Sequence, residues 1–233
     1  MRRVMAGLMV MACAATMSAQ EGTVSAEGRL DALLEAMGGR EAWAKLTGIR
    51  VHATHYDASI PAPFENVIVN DFSRPAFRVD ARGPGYQRVR AINGQDGWMS
   101  DGRTFAALDA ARMHDELRWW ESNVYRTLQR LALRDPSLHV AWIAPDRLAV
   151  VRADGVRLNW FRLNQRHEPV AFGTWDAEDG TVFGPLANGP AGLKYPKWGA
   201  SVDGRWRYEV DRVITFAGVV GVDMSRPTAP PVG

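Results

Sequence analysis

"EAMGGREAWAKLTGIRVHATHY", residues 35–56, changes its periodicity half-way along, and that change decides the fold class. Just before and within it, Leu30, Leu33, Leu34 and Met37 recur at helical spacing until Gly38-Gly39 stops the helix. Trp43 and Leu46 make a short second helical piece, which Gly48 ends. From Ile49 the period is two. Ile49, Val51, Ala53 and His55 share one face of a strand, and Arg50, His52, Thr54 and Tyr56 the other. A helical pair thus runs straight into a half-buried strand, as helices packed on one face of an antiparallel sheet require.

The same alternation continues in "ENVIVNDF", "AFRVDARG" and "YQRVRAIN". "NGQDG" (93–97) and "SDGR" (100–103) are hairpin-type turns around a short strand at Trp98. A helix then interrupts the meander, with Asp109 as its N-cap and Pro136 as its stop. Strands resume with "HVAWIA", "RLAVVRA", "VRLNWFRLN" and "PVAFGTWD". "FGPLANGPAGLKYPKWG" reads as too irregular for a strand, and "RWRYEVDRVITFA" restores alternation before a C-terminal tail. With about ten or eleven short strands, almost all joined by turns, the expectation is a mainly β, α+β chain. Its sheet is antiparallel and strongly curved, with helices covering the concave face.

The chain opens "MRRVMAGLMVMACAATMSAQEG", a positive start, an apolar run from Val4 to Ala15 and small residues after it. This is the layout of a secretory signal, expected at 1–19. The alternative is a lipoprotein signal over 1–12, with "VMAC" (10–13) as lipobox and Cys13 acylated. One domain is expected over 20–225, with a disordered tail at 226–233. Cys13 is the only cysteine, so a soluble mature chain has no disulfide or thiolate chemistry. Without Arg2 and Arg3 the 28 basic residues fall to 26, equal to the 26 acidic ones, so nucleic acid is not an expected partner. About 210 remaining residues bury roughly 70% of their unfolded surface, enough for one core.

Motifs for chemistry are sparse. His52 and His55 are three apart on a strand and face opposite sides, and no H-E-x-x-H, H-x-H or G-x-S-x-G occurs. "GPGYQR" is too short for a dinucleotide loop, and Asp176, Glu178 and Asp179 cluster in a turn. No catalytic residue, metal ligand or cofactor is expected. Aromatic content stands out instead, with nine tryptophans, all downstream of the N-terminal segment. On a helical wheel Met113, Leu117, Trp120, Val124, Leu128 and Leu131 form one apolar stripe. Trp119 lies roughly 140° from the stripe's centre. It falls beside Asp115, Ser122, Arg126 and Arg130, and is expected either to stack on an arginine or to meet a membrane or partner.

The stretch quoted first resembles the opening of exported proteins with the LolA/LolB-type fold: helix, paired glycine, short apolar helix, first strand. "LKYPKWGASVDGRWRYEVDRVITFAGVVGVDMSRP" (193–227) resembles the closing pattern of the same group. The order of elements between these ends also fits. The resemblance implies a half-open barrel enclosing a hydrophobic cavity for acyl chains. Two features depart from it. The carriers' residues for gripping and passing on lipoprotein have no counterpart that can be placed here, and the double-tryptophan helix does not align.

The expected function is an exported, periplasmic or outer-membrane-associated, non-enzymatic monomer that binds an acyl chain, lipid or lipidated protein. Leu117, Trp120, Val124 and Leu128 would form the helical wall of the cavity, Trp98, Trp142 and Trp160 the sheet side, and Trp119 a membrane or partner contact. The alternatives are an envelope structural or interaction module without a ligand, and a hydrolase whose polar groups meet only in three dimensions.

Overall fold

The computed structural model describes residues 25–175 and 177–225. The expected signal at 1–19, Cys13, the tail at 226–233 and Asp176 of the acidic cluster lie outside them. Helix α1 (Ala26–Ala36) begins where the Ser25 hydroxyl accepts the Gly28 N–H at 3.0 Å. Helix α2 (Arg40–Ala44) follows the glycine pair, and the indole N–H of buried Trp43 donates back to the Met37 carbonyl at 3.0 Å. Gly38 and Gly39 both have positive φ, 107° and 100°. A Cβ on Gly38 would stand 2.4 Å from the Gly192 carbonyl oxygen.

The meander runs through β1 (Gly48–Asp57), β2 (Phe64–Asp71), β3 (Ala76–Gly83), β4 (Tyr86–Asn93), β5 (Asp96–Ser100) and β6 (Phe105–Ala107). Helices α3 (Ala110–Glu121) and α4 (Val124–Ala132) come next, then β7 (Leu138–Ala144), β8 (Arg147–Arg152), β9 (Arg157–Leu163) and β10 (Pro169–Thr174). Five strands close the chain: β11 (Thr181–Phe183), β12 (Leu186–Asn188), β13 (Lys194–Pro196), β14 (Trp198–Ser201) and β15 (Trp206–Phe216). Thirteen of these form one antiparallel sheet in the order β6-β5-β4-β3-β2-β1-β15-β14-β11-β10-β9-β8-β7, not closed into a barrel.

The order explains the helices. The first meander ends at one edge, β6, and the next begins at the other, β7, so α3 and α4 must carry the chain across a face. Thirteen strands lying flat would separate those edges by about 58 Å. The two helices supply about 32 Å. The sheet curls, and the helices lie in its concave side. Register gives the residues on that side: Ile49, Val51, Phe77, Val79, Ile92, Leu148, Val150, Phe161, Phe172, Phe183, Val210 and Val213. They pack against Leu30, Leu33, Leu34, Trp43, Trp120, Leu128 and Leu131 of the helices. The convex side is covered locally: Val220 and Met224 pack on Val69 and Ala76, and the Trp98 indole donates to the Met224 carbonyl at 3.0 Å.

Three expectations need correction. The described residues form 15 strands, because β6, β11, β12 and β13 have three residues each, too few to show a period. The Gly/Pro-rich stretch carries the small β12–β13 sheet, which docks on the glycine pair through the Lys194 N–H to the Met37 carbonyl, 2.9 Å. The middle helix is two helices. Asn123 caps α4 by accepting the Tyr125 and Arg126 N–H groups at 3.1 and 3.3 Å, while the Ser122 N–H and hydroxyl both bond the Arg118 carbonyl.

Candidate ligand cleft

The α3–α4 break stands over β10, β11, β14 and β15, and between them lies a cleft of about 610 Å³. Register places Phe172, Thr181, Phe183, Gly199 and Tyr208 on the concave face: Phe172 pairs with Thr181, Phe183 stands two residues on along β11 and pairs with Gly199, and Gly199 pairs with Tyr208. Phe172 and Phe183 stack at 6.3 Å between centroids, and Trp206 stacks on Tyr208 at 5.8 Å. These rings form the floor. Trp119, Ser122, Asn123 and Val124 form the roof, and Thr174, Asp179, Ser201 and Asp203 stand at the rim.

Glycine makes the floor possible. A Cβ on Gly199 would fall 2.6 Å from three atoms of the Tyr208 phenol, so Tyr208 lies flat only because its cross-strand neighbour has no side chain. Burial pushes the Tyr208 phenol above its usual range, so it stays neutral. Beyond it, His55 stacks on Tyr208 (5.5 Å) and meets Phe64 in a tilted contact (5.4 Å). Burial lowers the His55 pKa to about 4. With the ring neutral, the Asn66 amide donates to its Nε2 at 3.2 Å. At the rim, the Asp203 carboxylate accepts the Ser201 hydroxyl at 2.6 Å and the Arg205 N–H at 3.1 Å, and these bonds hold its pKa below the usual carboxylate value.

The residues nominated from sequence are distributed over several places. Trp119 and Val124 line this cleft. Trp119 is half-buried, edge-on to Phe77 at 4.7 Å and under the Arg90 guanidinium at 4.7 Å. Leu117 and Trp120 line a separate hollow of about 430 Å³ on the other flank of α3, with Arg118, Arg152 and Trp175. The Trp120 indole donates to the Asp71 carbonyl at 2.8 Å. Leu128 is fully buried in the main core. Trp142 is on the concave face of the edge strand β7, beneath Arg29 at 5.5 Å. Trp98 and Trp160 stand on the convex face, Trp98 with Val89 and Ala91, Trp160 with Ala149 and Ala171.

Phe172, Phe183, Trp206 and Tyr208 were not nominated. Trp206, Tyr208 and Val210 alternate in "RWRYEV", and that alternation was the available signal. A larger hollow of about 910 Å³ lies at the β3–β4 and β5–β6 hairpin ends, but it is lined by turn residues with Arg82, Arg88 and Arg103 and has Tyr86 as its one aromatic ring. Among the described residues no three His, Cys, Asp or Glu side chains are grouped to hold a metal ion. No described helix is long and apolar enough to cross a membrane.

No known family and no curated protein matches the chain by sequence. Among solved structures it is similar to a domain described as an outer membrane lipoprotein-sorting protein domain from Vibrio parahaemolyticus. Identity there is 10%, over 85% of this chain and 95% of that one, with a TM-score of 0.44. It is also similar to an uncharacterized conserved protein from Thermus thermophilus, at 10% identity over 89% and 98% of the two chains, TM-score 0.38. A DUF1329 family protein from Desulfovibrio piger gives 9% identity over 85% and 95%, TM-score 0.38. None of the three speaks to what this chain binds.

Proposed function

We propose that this chain is an exported, non-enzymatic binding protein that holds an acyl chain, a lipid or a lipidated protein in the concave cleft. Its place would be the periplasm or the outer membrane, following the signal-like N-terminus. The observation that carries the reading is the aromatic floor of Phe172, Phe183, Trp206 and Tyr208 under Trp119 and Val124, enclosing about 610 Å³. That volume falls within the roughly 300–1,000 Å³ of small-molecule sites. Each methylene moved from water to such a surface contributes about 0.8 kcal/mol, so a chain of modest length suffices for stable binding without any covalent step. Of the residues nominated from sequence, Trp119 and Val124 are the wall, and Leu117 and Trp120 support α3 from behind.

The test is native mass spectrometry with organic extraction, on protein purified from its own host without detergent. Co-purifying lipid, lost in a Val124→Asp variant that keeps its circular dichroism, supports the reading. A clean apo mass that takes up no added lipid sinks it, and an envelope interaction module without a ligand then takes its place.

A further inference from the structure

The charge lining the cleft is one-sided. Asp179 and Asp203 are its only formally charged residues, and no Lys, Arg or His lines it among the described residues. This is notable in a chain with 28 Lys and Arg. Four other hollows, of about 420 to 910 Å³, are each lined by at least two arginines. The helix termini do not offset the carboxylates. The C-terminal end of α3 and the N-terminal end of α4 meet at Ser122–Asn123, so their opposite partial charges largely cancel there. Among the described residues the one guanidinium stacked on a lining ring, Arg90 on Trp119, is ion-paired with Glu116.

Resting on the reading above, we infer that the ligand's polar end is a cation: an amino or quaternary ammonium group carried on the apolar chain. Aromatic faces attract such a group through the ring quadrupole, and most strongly when it is partly desolvated. The cleft offers Trp119, Trp206 and Tyr208 for this, with Asp179 and Asp203 at the mouth. An anionic head would meet two carboxylates and the negative faces of the rings, with no donor cation among the lining residues. The apolar tail then lies toward Phe172, Phe183 and Val124.

Three amphiphiles with the same dodecyl tail separate the contributions: dodecyltrimethylammonium, dodecyl maltoside and dodecyl sulfate. Each is titrated below its micelle concentration into the full chain, with tryptophan fluorescence and calorimetry as readouts. The expected order is the cation first, about tenfold tighter than the maltoside, and the sulfate last. An Asp179→Asn/Asp203→Asn variant is expected to erase the cation's advantage over the maltoside. Both side chains are exposed, and asparagine retains the oxygen that accepts the Ser201 and Arg205 bonds, so the fold is kept. Equal affinity for cation and maltoside, or preference for the sulfate, overturns the inference while the apolar cleft stands. Uptake of none of the three overturns both.

Discussion

The guanidinium carbon of Arg126 lies 3.7 Å from the centre of the Trp120 ring, which makes the buried tryptophan of the pair a platform for a largely buried charge. Burial, reinforced by the like charge of Arg130, lowers the Arg126 pKa to about 10, so it is still protonated at neutral pH. Its Nε has no hydrogen-bond partner among the described residues.

The two partners should therefore respond unequally to substitution. Trp120→Phe removes the bond to the Asp71 carbonyl and weakens the stack, at an expected cost of about 2 kcal/mol. Arg126→Met keeps the apolar stem and relieves an under-partnered charge, so its effect should stay within about 1 kcal/mol of zero. Urea denaturation of both variants checks this. A larger loss for Arg126→Met than for Trp120→Phe would show the guanidinium to be the stabilising partner.

Gly199 and Tyr208 yield a second prediction. Because an added Cβ would fall 2.6 Å from the phenol, Gly199→Ala must push the ring off the sheet. Overpacking of this kind costs about 1–3 kcal/mol. Gly218→Ala is the control, since nothing lies within 4 Å of its Cβ position. Denaturant midpoints should separate the two variants clearly, and equal midpoints would mean that Tyr208 relocates freely.

Much of this architecture was legible in the chain. The glycine pair at 38–39, the switch to period two at Ile49 and the turns at 93–97 and 100–103 each report local backbone chemistry, and sequence carries that directly. The candidate site was less legible. The wheel that sets Trp119 on the charged face beside Arg126 and Arg130 assumes one straight helix, whereas Asn123 breaks it and the curled sheet reaches both flanks of α3. Phe77 and Arg90 contact Trp119 on one flank, and Asp71 bonds Trp120. Trp98, Trp142 and Trp160 all stand on strands, but which face each takes depends on cross-strand register. Gly173 opposite Trp160 and Ala91 opposite Trp98 become visible only once the strands are paired.

The helix break is itself open to test. Asn123 accepts two backbone N–H groups at the start of α4, and Asn159 holds the same corner from β9 through Thr127 Oγ1 at 2.7 Å and the Ser122 carbonyl at 3.3 Å. Asn123→Ala should cost about 1 kcal/mol, as loss of an N-cap does. Hydrogen exchange should accelerate first in the opening turn of α4, residues 124–127. Unchanged protection there would mean that Asn159 alone sets the break.

His55 gives the acid dependence of stability. In the folded chain burial holds its pKa at about 4, against an ordinary 6.5, and the neutral ring accepts from Asn66 while lying between Phe64 and Tyr208. Between those two values the unfolded chain binds the extra proton and the folded chain does not. The His55 contribution is therefore complete above pH 6.5 and is lost as pH falls from 6.5 to 4. It amounts to about 3 kcal/mol at most. Carboxylates act in a lower window. Burial tends to raise the Asp135 pKa, but bonds from Ser137 and Arg130 bring it to about 2, so its contribution disappears below the ordinary value of 3.8. His55→Gln keeps a side-chain acceptor for Asn66 and removes the titration. Its unfolding free energy should change little from pH 6.5 to 4, whereas that of the parent chain should fall there by up to about 3 kcal/mol. Parallel curves for the two chains over that interval would place the buried proton acceptor elsewhere.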